Sequence, residues 1–173
     1  MIPSRRNECA ALAVIALCAF GSGLASAAEP ALLGEFENWA AYTYQASDTK
    51  VCYISARPKS SEPKVKRDPA FFLVSNMPGR KVKGEVSTII GYPFKKESKV
   101  LLTIDDNKFE LYTNGDGAWA DTSDTEKKIV AAMKSGKALK VTGTSWKNNK
   151  TVDTYGLEGV SSALAKIDEA CRK

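Results

Sequence analysis

Few residues in this 173-residue chain could do chemistry. There is no histidine, which excludes Ser-His-Asp and Cys-His catalysis, zinc sites built on imidazole and His-based proton transfer near neutral pH. No Gly-rich phosphate loop or dinucleotide fingerprint is present. Carboxylate pairs remain: Asp105-Asp106, Asp116 with Asp121, and Asp121 with Asp124. A glycosidase needs two carboxylates facing one another across a cleft, whereas neighbours such as Asp105 and Asp106 read as turn residues. Asn114-Gly115-Asp116-Gly117 looks superficially like a calcium loop, but the remaining oxygen ligands and the closing Glu are missing. The sequence therefore predicts no catalytic residue, no metal site and no cofactor, and it points to a non-enzymatic protein.

Charge is the stronger signal. From Arg57 to Lys83 stand eight basic residues, Arg57, Lys59, Lys64, Lys66, Arg67, Arg80, Lys81 and Lys83, opposed by Glu62 and Asp68 alone. If the two ends of this segment lie together, they form a basic patch able to attract an anionic partner: a protein, a glycan or an anionic membrane surface. The alternative is a solvated loop that keeps the protein soluble. Nucleic acid is not expected, because no nucleic-acid-binding signature is visible.

The elements that must position these residues are mostly strands. Val86–Ile90, Val100–Ile104 and Phe109–Tyr112 alternate with period two, which predicts half-buried strands. Turns are expected at Gly91-Tyr92-Pro93, Asp106-Asn107 and Asn114–Gly117, and the three runs read as one antiparallel meander. Upstream, Glu37–Tyr44 and Lys50–Arg57 read as strands about a Gln45–Thr49 turn, with Trp39 and Tyr42 as core or cover. Arg57–Pro69, with three prolines, reads as a loop. Pro69–Val74 reads as a buried strand and Asn76–Gly79 as a turn. Downstream, Ser123 with Glu126 three residues on has the form of a capping box. It predicts a helix carrying Ile129, Val130 and Met133 and stopped by Gly136. Leu139–Ser145 and Thr151–Leu157 read as strands about a Lys147–Lys150 turn. Gly159–Lys173 reads as a second helix with Val160, Leu164, Ile167 and Cys171 on one face. The predicted fold is mainly β: an antiparallel β-sandwich-like domain with one internal helix and a C-terminal helix.

The N-terminus reads as an export signal. Arg5 and Arg6 precede an apolar run, Ala10–Phe20, and then Ala25-Ser26-Ala27, the pattern of a secretory signal peptide cleaved after Ala27. A membrane anchor is the alternative. A lipoprotein site at Cys18 is disfavoured by Leu17, which is too large for the position before such a cysteine. Residues 1–27 are thus expected to be removed, leaving residues 28–173 as a single exported domain, periplasmic or at the outer membrane or cell surface, with no transmembrane span. Cys9 and Cys18 leave with the signal. The two that remain, Cys52 and Cys171, are expected to form a disulfide rather than two buried thiols.

Gly91-Tyr92-Pro93-Phe94, Gly115–Trp119 (GDGAW) and Asp153–Gly159 (DTYGLEG) precede a helix that ends in Cys171. With Val130–Gly136 and Thr142–Ser145, their order and spacing resemble the invasion-associated locus B family, over nearly the whole chain after the signal. The resemblance implies a secreted or envelope-associated bacterial protein with a β-sandwich-like domain, some relatives of which are implicated in entry into host cells. It supplies no catalytic mechanism. The function expected is an exported envelope protein contributing to host-cell interaction or invasion through a binding surface; the alternative is a periplasmic envelope-maintenance factor, binding lipid, glycan or protein, with no host role.

Overall fold

The structure is a computed structural model that describes residues 29–172. The expected signal peptide and Lys173 lie outside the described residues. In chain order the elements are β1 (Ala31–Phe36), β2 (Trp39–Gln45), β3 (Lys50–Ala56), β4 (Ser60–Glu62), β5 (Phe71–Met77), a 3₁₀ turn (Pro78–Arg80), β6 (Val82–Ile89), β7 (Lys99–Ile104), β8 (Asn107–Asn114), β9 (Gly117–Trp119), α1 (Ser123–Ser135), β10 (Ala138–Thr144), β11 (Lys150–Gly156) and α2 (Val160–Ala170). The strands form one antiparallel sheet in the order β1-β2-β3-β5-β6-β9-β8-β7-β10-β11-β4.

Alternation explains why this sheet folds onto itself. Val86, Thr88 and Ile90 are buried together, as are Val100, Leu102 and Ile104, and each set lies on one face of its strand. The expected buried strand at Pro69–Val74 falls in β5, where Phe72 and Val74 point inward while Phe71 and Leu73 are only partly covered. The two halves of the sheet meet at Phe72. Its ring makes edge contacts with Trp39 at 6.3 Å and with Tyr155 of β11 at 5.9 Å. The Trp39 indole donates to the Gly156 carbonyl at 3.0 Å, which satisfies its buried N–H. Tyr42 is cover, stacked on Tyr53 at 5.2 Å.

Four expectations are corrected. First, β6 does not neighbour β7. Its neighbour on the side away from β5 is β9, and β7, β8 and β9 wind back toward β6. The connection from Ile90 to Ser98 therefore crosses the sheet beside the β8–β9 turn, where Ile90 N–H donates to Asp116 O and Phe94 N–H to Gly115 O. Gly91 permits this path. Its φ is +79°, and a Cβ there would stand 2.0 Å from the Asp68 carbonyl oxygen. Second, the β7–β8 hairpin turns at Asp105-Asp106, one residue early, with Asp105 at φ +47°. Third, Thr122 caps α1: its side chain accepts from Thr125 N–H at 3.2 Å, and Ser123 is already helical. Glu126 closes no capping box. Burial instead pushes its carboxyl above the ordinary range, and a bond from the Val86 backbone partly offsets this. Fourth, Arg57–Pro69 is not free loop. It contains β4, paired with β11 from Ser60↔Thr154 to Glu62↔Val152.

What pins that stretch is Arg67. Its side chain is 8% exposed and forms a two-pronged ion pair with Asp153 of β11, which is fully buried. The same guanidinium donates to Ile90 O at 2.7 Å and Ser61 Oγ at 2.9 Å, and it lies against the Tyr92 ring. Burial alone would lower the pKa of Arg67, but the bonds and charge of Asp153 more than offset it and hold the group above its ordinary value. Arg67→Ala should cost about 3–5 kcal/mol in urea unfolding, because it strands a buried carboxylate. The pair Arg67→Met, Asp153→Leu should recover most of that loss. A double variant as unstable as the single would show that the charges themselves are needed. Beside this network the Tyr155 hydroxyl is buried and makes no hydrogen bond of ordinary geometry among the described residues; the nearby Thr88 hydroxyl donates to Phe71 O, which leaves its oxygen able to accept. Tyr155→Phe should leave the unfolding midpoint unchanged or raise it; a loss of more than about 1 kcal/mol would mean that the hydroxyl donates to Thr88.

Candidate binding groove

The eight predicted basic residues do not come together. Arg57 lies beyond the β3 end that pairs near Phe71, whereas Arg80 and Lys81 stand beyond the Met77 end of β5 and Lys83 lies opposite Asn76 near that same end. Seven strand residues separate the ends, about 20 Å at roughly 3.3 Å per residue. At the first end, Arg57 lies over the Phe71 ring at 5.2 Å, Lys59 pairs with Glu158 at 3.1 Å, Lys64 and Lys66 are exposed, and Arg67 is consumed inside the fold. At the second end, Arg80 forks onto Asp48 with two bonds of 2.8 Å, and this bond holds the Asp48 carboxyl below its ordinary value. Lys81 and Lys83 are exposed, the latter only loosely paired with Asp168 at 3.6 Å.

Around Lys81 and Lys83 the surface is concave. β6 carries an extra residue opposite the Ser75–Asn76 step, and Gly84 at φ +77° takes it up. Asn76 is buried at this bulge. Its Oδ1 accepts from Gly84 N–H at 2.9 Å and its Nδ2 donates to Asp168 of α2 at 2.8 Å, so one side chain ties the bulge to the terminal helix. Between the bulge, α1 and α2 lies a hollow of about 440 Å³ with Val130, Ala131 and Leu164 among its lining, rimmed by Lys83, Lys127 and Lys134. A second hollow of about 620 Å³ shares Asn76, Lys83 and Asp168 with the first. It continues past Pro78 and Val82 to Cys171, with Lys81 and Arg172 on its rim. Five cations thus converge on one groove from three parts of the chain. Lys127 is paired with Asp124 at 3.2 Å, while Lys81, Lys134 and Arg172 are in no ion pair among the described residues.

Of these five cations, the sequence named Lys81 and Lys83 as candidates; Lys127, Lys134 and Arg172 were not among them. A signal was present: Lys127, Val130, Ala131 and Lys134 follow the i, i+3, i+4, i+7 spacing of one helix face.

The disulfide shapes the same wall. Cys52 of β3 and Cys171 are bonded, with Cα atoms 6.0 Å apart and a separation of 119 positions in sequence. Val160, Leu164 and Ile167 bury the adjoining face of α2, as their spacing predicted, and Lys50 donates to the Ala170 carbonyl at 2.7 Å near the end of that helix.

The carboxylates form no paired site. Asp105, Asp106, Asp116 and Asp121 stand exposed in turns or a bend. The Asp105-Asp106 and Asp116 turns lie at opposite ends of the eight-residue β8, roughly 25 Å apart at strand rise. Asp105 is engaged by Lys137 and Ala138 N–H groups at 3.2–3.4 Å. Among the described residues no cluster of three His, Cys, Asp or Glu side chains is placed to hold a metal, and no helix is long and apolar enough to cross a membrane.

Fold and site together define a disulfide-tied antiparallel β-sandwich-like domain whose main surface feature is a lysine-rimmed groove. Residues 39–168 match the family described as invasion associated locus B (IalB) protein, and the chain belongs to that family. It is similar in fold to the crystal structure of invasion associated protein b from Bartonella henselae, at 18% identity and a TM-score of 0.55, covering 81% of this chain and 98% of that one. No curated protein matches it.

If the disulfide holds α2 in place, reducing it, or making Cys52→Ser and Cys171→Ser together, should lower stability by up to about 4–5 kcal/mol, the chain-entropy limit for a loop beyond a hundred residues. Denaturant unfolding with and without reductant reads this directly. An unchanged midpoint would mean that packing alone seats the helix.

Proposed function

We propose that this chain is an exported, non-enzymatic envelope protein that contributes to host-cell interaction by binding an anionic partner through the lysine-rimmed groove. The observation that carries the reading is the convergence of Lys81, Lys83, Lys127, Lys134 and Arg172 on one concave surface. Positive charge gathered over a hollow steers anions toward it and holds them more strongly than the same charges scattered on a convex face. Membership of the invasion-associated family supports the host-directed role, and the Cys52–Cys171 bond supports an oxidising compartment outside the cytoplasm.

Reversing Lys81, Lys83 and Lys134 to Glu should weaken attachment to anionic surfaces about a hundredfold, at roughly 1 kcal/mol for each cation lost. Attachment of the parent protein should also fall with added salt. Lys64→Glu with Lys66→Glu, at the other end of β5, should change it little. If that second pair matters and the first does not, the binding surface has been put at the wrong end of the molecule. Labelling intact cells with a membrane-impermeant reagent tests the compartment. Reaction before the outer membrane is opened, with a periplasmic control protected, supports host contact, and protection argues against it.

A further inference from the structure

The two hollows of the groove differ in character, and the difference points to a class of ligand. The one between α1 and α2 is mainly apolar, with Val130, Ala131 and Leu164 among the residues that line it and lysines only at its rim. The one beside the disulfide is more polar and carries Lys81 and Arg172. Lys83 and Asp168 stand where the two join. An apolar compartment opening into a cationic one matches a molecule with an apolar chain at one end and a negative charge at the other. Resting on the reading that the groove binds anions, we propose that its occupant is an anionic amphiphile. The acyl chain lies between α1 and α2, and the charged headgroup sits among Lys81, Lys83 and Arg172.

Charge complementarity selects the sign of the headgroup. The three rim cations without an ion pair exceed what the single Asp168 carboxylate can neutralise, and Asp168 is already engaged by Asn76 and Lys83. Size selects a chain over a peptide. Each compartment falls within the roughly 300–1,000 Å³ typical of small-molecule sites. An amphipathic helix instead needs several anchor pockets spaced along two or more turns, and the second compartment has a larger polar share than the first. The long stems of Lys127 and Lys134 can lie along a chain while their ammonium groups stay in water, which extends the apolar wall beyond Val130 and Ala131.

The test uses the mature, disulfide-bonded protein and titration calorimetry with four probes: dodecyl phosphate below its micelle concentration, glycerol phosphate, dodecyl maltoside and an acidic amphipathic helical peptide. Dodecyl phosphate should bind at least tenfold more tightly than glycerol phosphate, since burying even a few methylenes exceeds that factor. It should also bind more tightly than the uncharged maltoside. Ala131→Trp, at an exposed helix position, should block the apolar compartment, weakening dodecyl phosphate about tenfold and leaving glycerol phosphate unaffected. Lys81→Glu with Lys83→Glu should weaken both phosphates. Lys134→Glu serves as a second rim variant if the tryptophan disturbs folding, as judged by its unfolding midpoint. Equal affinity for the two phosphates, or indifference to Ala131→Trp in a folded variant, overturns the amphiphile while leaving an anion site standing. Preference for the peptide over dodecyl phosphate overturns it in favour of a protein partner. Binding of none of the anionic probes removes the anion-binding reading itself.

Discussion

The buried contact between Arg67 and Asp153 is the constraint around which the rest of this structure is arranged. Two charges withdrawn from water are costly unless every donor and lone pair finds a partner. Here the guanidinium reaches one carboxylate, one main-chain carbonyl and one hydroxyl, each on a different part of the chain. Satisfying those partners dictates where the segment after β3 runs, so that three residues of it become an edge strand on β11. It also brings Tyr92 over the guanidinium and the Tyr92 hydroxyl to within 2.6 Å of Thr151. Two of the segments that carry the family likeness, Gly91–Phe94 and Asp153–Gly159, therefore meet at this contact. Their residues hold the sheet closed; they do not line the groove.

The division of labour follows from the length of β5. One end of that strand anchors the polar latch, and the other ends in the 3₁₀ turn and the bulge that open the groove. Charge added or removed at the groove end is remote from Arg67 and Asp153, and changes at the latch leave the rim cations alone. Sites more than about 7–10 Å apart with no shared partner usually contribute independently. The rim cations can therefore change without endangering the fold, whereas Asn76 and Cys171, which also line the groove, are tied into it.

Most strands and both helices were legible because their burial repeats locally. Val100, Leu102 and Ile104 announce a buried face by alternation alone, and Val160, Leu164 and Ile167 do so at helical spacing. What escaped depended on partners far away in sequence. β1 carries a bulge at Gly34 that breaks alternation at the sheet edge, and β4 is three residues long and exists by virtue of β11. The partner of β6 was misread because β9 is only three residues long and sits beside a Gly-rich turn. Arg67 was counted with its neighbours in a basic run, since charge counting cannot see an Asp 86 residues on. The helical face of the groove was readable in Lys127–Lys134, but the concavity beside it required the Gly84 bulge and the packing of α2, neither of which leaves a local periodic mark.

The position of the disulfide bears on how the protein matures. Cys52 lies in β3 and Cys171 just after α2, 119 positions further along the chain. A chain threaded across a membrane amino end first would present Cys52 to an oxidising compartment long before Cys171 emerges. The bond, and with it the seating of α2 against the groove, would then have to await the passage of α2 itself. Oxidation would in this way come only after every strand of the sheet has crossed, and a chain stalled before α2 would carry an unpaired Cys52 thiol, open to capture by the compartment's own disulfide-exchange machinery.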